Sequence, residues 1–161
     1  MSKLNIDDKI EESNATMELN LTNYQFNDLS CLNEFPLGVL MRMIKIDISF
    51  NKIKNLKLSN LPFLKYLSAA NNSISTLHLE LSTVEIIDLS TNVLNNIYNL
   101  SFTPNVCYLD LSGNLITKFS LYNVKPITST LQNLEISYNR LILTNEEYIN
   151  VVDILSKLKK L

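Results

Sequence analysis

The chain has 161 residues, 46% of them apolar, which is enough for one domain with a sizeable core and no need of cross-links. Fourteen Lys and Arg against sixteen Asp and Glu leave a net charge of -2, so no basic field draws nucleic acid or anionic lipid directly. No run of eighteen apolar residues offers a membrane span, and Met1 to Glu12 is too polar and acidic for a secretory leader, which points to an intracellular protein, cytoplasmic or nuclear.

From the N-terminus, Asn5 and Asp8 supply helix-start chemistry, and a short helix is expected over 6–13 with Ile6 and Ile10 inward. The stretch MELNLTNYQF from Met17 then places Leu19 and Leu21 as core positions, Tyr24 in a turn slot and Phe26 at its end. Residues 27–42, with Leu29, Leu32, Phe35, Pro36, Leu37, Leu40 and Met41, form a link with a turn of helix, and Cys31 belongs to its apolar packing. Five phrases follow: MIKIDISFNKI, LKYLSAANNSI, VEIIDLSTNVL, VCYLDLSGNLI and LQNLEISYNRL. Each carries apolar residues at phrase positions 1, 4, 6 and 11 and Asn at 9, so that Asn51, Asn72, Asn92, Asn114 and Asn139 are spaced by 21, 20, 22 and 25 residues. All twenty apolar slots are filled, which a 46% apolar background does not supply by chance.

The alternation around positions 4 and 6 makes a short strand whose apolar side chains point inward while positions 3, 5 and 7 point out. One such unit cannot hide its own apolar face, so the units must stack. The Asn, placed where the chain leaves the strand, can donate to and accept from backbone groups of adjacent coils. After each Asn, apolar residues recur at +5 and +7, as Leu56 and Leu58, Leu77 and Leu79, Phe119 and Leu121, a spacing that is extended rather than helical. In the third full coil Asn99 holds the second slot and Leu100 takes over, so an irregular outer side is expected there. At the C-terminus Thr144 and Glu147 form a capping box ahead of Tyr148, Val151, Val152, Leu155 and Leu158, which predicts a helix over 145–158.

The phrase over residues 43–141, reaching loosely back to residue 17, resembles the leucine-rich repeat family. That resemblance implies a solenoid: a curved parallel β-sheet on the concave side, a mostly irregular or short extended convex side, and helical caps. The whole chain, 1–161, then reads as a single domain, with an N-terminal cap at 1–16, repeats at 17–141 and a C-terminal cap helix at 142–161. The stretch LTNEEYINVVDILSKLKKL is similar to the cap of intracellular members of the family. These include the spliceosomal A-prime protein, the acidic nuclear phosphoproteins, the leucine-rich dynein light chain and the regulator of protein phosphatase 1.

Catalytic chemistry is sparse. His78 falls between Leu77 and Leu79 on an outer segment, Cys107 at position 2 has no base beside it, and no nucleophile–base pair, phosphate loop or metal-ligand spacing occurs. The chain therefore reads as a non-enzyme with no cofactor and no metal. Sequons at Asn14, Asn20, Asn71 and Asn99 are what twenty-two Asn supply by accident.

The remaining feature is the expected concave face. Position 5 reads Asn20, Asp47, Ser68, Asp88, Asp110 and Glu135; position 3 reads Glu18, Lys45, Tyr66, Ile86, Tyr108 and Asn133; position 8 contributes Phe50 and Tyr138. Two readings of the acidic column stand: carboxylates that keep a strand surface soluble, and carboxylates that meet a basic partner. The large apolar side chains beside it exceed what solubility wants and fit a protein-binding surface. The site residues are thus Lys45, Asp47, Phe50, Tyr66, Ile86, Asp88, Tyr108, Asp110, Glu135 and Tyr138. Six strands at about 4.8 Å give roughly 24 Å, the length of a helix of about sixteen residues. The expected partner is a protein offering a basic amphipathic segment. The alternative, implied by the A-prime resemblance, is a structural subunit of a ribonucleoprotein that meets RNA only through a partner protein.

Overall fold

The computed structural model describes residues 5–97, 103–117 and 130–142. Helix α1 (Ile6–Thr16) begins at Asn5, whose side chain accepts the Asp7 N–H at 3.2 Å, and ends on Met17 in the left-handed region at φ 58°. The helix runs three residues beyond the expected end at 13, since Thr16 Oγ1 still bonds back to the Glu12 carbonyl at 2.9 Å. Ile6 and Ile10 are half-buried against the core, as their spacing requires.

Strands β1 (Glu18–Asn20), β2 (Lys45–Asp47), β4 (Tyr66–Ser68), β6 (Ile86–Asp88), β7 (Tyr108–Asp110) and β8 (Asn133–Glu135) form one six-stranded parallel sheet in chain order. Each strand covers phrase positions 3 to 5, and the register aligns like with like: Leu19, Ile46, Leu67, Ile87, Leu109 and Leu134 lie side by side. Between β2 and β6 the chain also builds β3 (Asn55–Ser59) and β5 (Thr76–Glu80), a parallel pair on the convex side. Leu56, Leu58, Leu77 and Leu79 are buried beneath that pair, while Lys57 and His78 are exposed and share a register position. The +5 and +7 spacing is therefore a second sheet in those two coils. Phe119 and Leu121, Asn99 and Leu100, and the expected helix at 145–158 lie outside the described residues.

Positions 1, 4, 6 and 11 build the core, and in the coils from Met43 to Ile116 every one of them is buried. A fully buried Leu or Ile contributes about 1.5–3 kcal/mol relative to exposure, so the stack rather than any one coil carries the stability. The link between β1 and β2 holds a 3-10 turn (Ser30–Glu34) and a short helix α2 (Leu37–Leu40), which bury Cys31, Phe35 and Val39 but leave Leu37 and Met41 exposed. Burial, with Asp28 and Glu34 nearby, pushes the Cys31 thiol up to about 11, so it is protonated and unreactive near neutrality.

Asn at position 9 fastens each coil to the one before it. Asn92 Nδ2 donates to the Ala69 carbonyl of the preceding coil at 3.0 Å and to its own Leu89 carbonyl at 3.1 Å, while Oδ1 accepts the Ile74 N–H at 2.9 Å. Asn51, Asn72, Asn114 and Asn139 repeat the pattern; Asn51 Oδ1, for example, takes the Phe26 N–H at 3.0 Å. Tyr24, which replaces this Asn in the first coil, stacks instead on Phe26 with ring centroids 5.5 Å apart.

Candidate functional site

The sheet places position 5 side chains in one row and position 3 side chains in another. Asp88, Asp110 and Glu135 are register partners on β6, β7 and β8, and Tyr66, Ile86 and Tyr108 are register partners on β4, β6 and β7. Like charges directly opposite on adjacent strands oppose folding, and none of these three carboxylates forms an ion pair among the described residues. Burial, and then the carboxylates of Asp110, Glu135 and Asp88, push the Tyr108 phenol above its ordinary value, which marks the ring as lying within their field.

Part of the acidic column has a local task that sequence reasoning missed. Asp88 Oδ1 accepts the Ser90 N–H at 2.9 Å and its hydroxyl at 2.7 Å; Asp110 does the same for Ser112 at 2.8 and 2.7 Å, and Asp47 takes the Ser49 N–H at 3.0 Å. The signal was the Asp-x-Ser spacing, which is that of an Asx turn. At Asn20 a neutral amide makes the same two bonds, to Thr22, at 3.0 and 2.9 Å. The turn needs the oxygen and not the charge.

Lys45 is engaged within the face: its Nζ lies 3.3 Å from Glu18 Oε2 and 5.4 Å from the centre of the Tyr66 ring. Position 2 adds a second ion pair, Lys65 with Glu85 at 2.5 Å, also unread in the sequence. Position 7 contributes less surface than expected, because Ser49 and Ala70 are buried and Ser49 Oγ meets the buried Ser68 Oγ at 2.6 Å.

Phe50 and Tyr138 stand apart from this row. Position 8 lies in the turn after the strand, and it is left-handed in every coil: Asn23, Phe50, Asn71, Thr91, Gly113 and Tyr138 have φ between 53° and 64°. Phe50 is 59% exposed and Tyr138 89% exposed, on the second and the last coil, so the structure sets them at two points along the sheet's downstream margin. Tyr66, Ile86 and Tyr108, by contrast, form one half-buried row.

Cys107 is half-buried and His78 lies 3.2 Å from Glu80 on the convex pair. Among the described residues no cluster of His, Cys, Asp and Glu could hold a metal ion, and no helix is long and apolar enough to cross a membrane.

No protein-family model matches the chain. Over 126 residues it is 30% identical to Toll-like receptor 4 of Bos taurus and, equally, to that of Boselaphus tragocamelus; the match takes in 72% of this chain and spans only 15% of either receptor. Among solved structures, the leucine-rich repeat domain of LRIM1 is similar with a TM-score of 0.59 at 19% identity, covering 86% of this chain and 52% of that one. The LRIM1/APL1C complex gives a TM-score of 0.56 at 19% identity, over 84% of this chain and 33% of its counterpart. Internalin C2 of Listeria monocytogenes gives 0.54 at 19% identity, over 92% of this chain and 71% of its own. The stacked coils, each closed by an Asn that bonds the coil before it, and the shape they share with these domains give this chain the leucine-rich repeat fold.

Proposed function

We propose that the chain is a non-catalytic protein-binding module whose concave face holds a basic amphipathic segment of a partner protein. The observation that carries this reading is the in-register row of Asp88, Asp110 and Glu135, free of ion pairs among the described residues. Such a row works against the fold, and Asn20 shows that the turn beneath it forms without charge. The surplus charge is accounted for by a cationic partner, which would be steered by the carboxylates and held by Tyr66, Ile86 and Tyr108. One protein of the same fold, LRIM1, is seen in complex with APL1C, which agrees with a partner of protein type.

The test uses Asp88→Asn with Asp110→Asn, since the carboxamide keeps the turn and removes only charge. Binding is read by fluorescence anisotropy with a synthetic amphipathic helix of Leu and Lys. The double variant is expected to fold normally by circular dichroism and to lose about tenfold or more in affinity, with a flatter salt dependence. Unchanged affinity at every salt concentration would remove the concave carboxylates from the interface.

A further inference from the structure

The downstream margin of the sheet is a second surface, which the concave-face reading does not use. After each strand the chain turns at position 8, and the N–H at position 10 then bonds the position 11 carbonyl of the coil before it. Five such rungs run along the margin, from Lys52 to Phe26 at 2.8 Å to Arg140 to Ile116 at 3.0 Å. They set positions 8, 10 and 12 of all six coils in parallel rows, and each of these eighteen residues is exposed or half-buried.

The composition of this ledge is unlike that of the concave face. None of the eighteen residues is Asp or Glu. Of the carboxylates that flank it, Asp28, just past position 12 of the first coil, accepts the Ser30 N–H at 2.8 Å; Glu80 lies 3.2 Å from His78 on the convex pair; and those at position 5 line the concave side. The cations of the ledge are Lys52, Lys54 and Arg140, which form no ion pair among the described residues; Lys52 Nζ donates to the neutral Gln25 Oε1 at 3.0 Å. Rings and cations coincide: Phe50 at position 8 is followed by Lys52 at position 10, and Tyr138 by Arg140, while no other coil has an aromatic at 8 or a cation at 10. Both rings stand in a left-handed turn that Asn or Gly fills in the first, third and fifth coils, so backbone preference does not put them there. Between the two pairs the ledge offers amides and hydroxyls, from Asn71, Ser73, Ser75, Thr91, Asn95 and Thr117.

An exposed ring beside a cation, given twice on a ledge of amides and hydroxyls that lacks carboxylates, matches the chemistry of a single-stranded nucleic acid. Every base has a π-face to stack on a ring, and every nucleotide a phosphate to meet a cation. An acidic protein segment would use the cations and leave both rings in water. We infer that the downstream margin binds single-stranded nucleic acid, with one base stacked on Phe50 and another on Tyr138, phosphates on Lys52, Lys54 and Arg140, and the nucleotides between them hydrogen-bonded along the third to fifth coils. The rings stand four strand spacings apart, about 19 Å, so a strand must span both to gain from both. The net charge of -2 exerts no long-range pull on such a ligand, and recognition is by contact.

The experiment uses the full chain and a labelled oligouridylate of about twelve nucleotides at low salt, read by fluorescence anisotropy. The oligonucleotide is expected to bind, and a dinucleotide, or a duplex of the same length whose bases are already stacked, to bind about tenfold more weakly or worse. Phe50→Asn with Tyr138→Asn installs the residue this turn carries in other coils; it is expected to leave the circular dichroism unchanged and to weaken binding about tenfold or more. Lys52→Gln with Arg140→Gln is expected to weaken it to a similar degree and to lower the slope of log affinity against log salt by about 1.4, the share of two phosphate contacts. The Asp88→Asn, Asp110→Asn pair does not weaken it, so failure of the concave-face reading leaves this site standing, and the reverse holds for the Phe50, Tyr138 pair. The inference is overturned if the oligonucleotide does not bind, if the Phe50, Tyr138 pair leaves its affinity unchanged, or if the duplex binds equally well. It is equally overturned if an oligoglutamate peptide binds as tightly with the same dependence on Lys52 and Arg140, which would give the ledge to an acidic protein segment.

Discussion

The coil from Val84 to Leu94 and the coil from Leu131 to Leu141 fill the same phrase, yet they are buried to different degrees. In the first, Val84, Ile87, Leu89 and Leu94 are buried and so is Asn92. In the second, Leu131 and Leu134 are buried while Ile136, Asn139 and Leu141 are half-exposed. The phrase decides which way a side chain points; how far it is removed from water depends on what is stacked against it.

Core truncation gives the largest separation between the two coils. Ile87→Ala, at a side chain with no exposed surface, is expected to cost about 2–5 kcal/mol, and Ile136→Ala clearly less, both read from urea unfolding. Equal losses would mean that the last coil is as tightly enclosed as the interior. The Asn ladder gives a smaller contrast of the same sign: Asn92→Ala strands buried carbonyls and an N–H and is expected to cost about 1–3 kcal/mol, whereas Asn139→Ala exposes its partners to water more readily and costs less. The smallest effect is a control that must not distinguish the coils. Thr91 and Tyr138 hold φ of 53° and 55°, so Thr91→Gly and Tyr138→Gly should each stabilise by similar amounts, of order 0.5–1 kcal/mol, because backbone strain is local. Gly113→Ala, at φ 64°, should move stability by a like amount in the opposite direction.

These contrasts also show where a sequence is legible. Apolar periodicity and Asn spacing locate the strands, the core and the Asn staples, because each repeats five times and each has one physical cause. Asn5 located α1, and the +5 and +7 leucines located β3 and β5. The left-handed turn at position 8 was not readable from Phe50, Thr91 or Tyr138, since only Gly113 and the Asn residues there advertise a positive φ. Phe50 and Tyr138 were therefore read with the concave row, although the turn carries them to its margin. The Asx turns were hidden for another reason: Asp-x-Ser reads as surface charge until the Ser N–H is seen to point at the carboxylate. The split within residues 27–42 was obscured because they look like uniform core filler, whereas the structure buries Phe35 and Val39 and leaves Leu37 and Met41 outside.

The asymmetry of the Asn staple has a consequence for how such a chain is made. Every Asn reaches backward, so the backbone groups at Ile53 and Ile48 of one coil are completed by Asn72 of the next. A growing polypeptide leaving the ribosome thus always ends in one unfinished coil, whose polar groups wait for about twenty more residues of synthesis. Assembly acquires a direction from N to C, and a stalled or truncated chain presents raw backbone at a single, moving front.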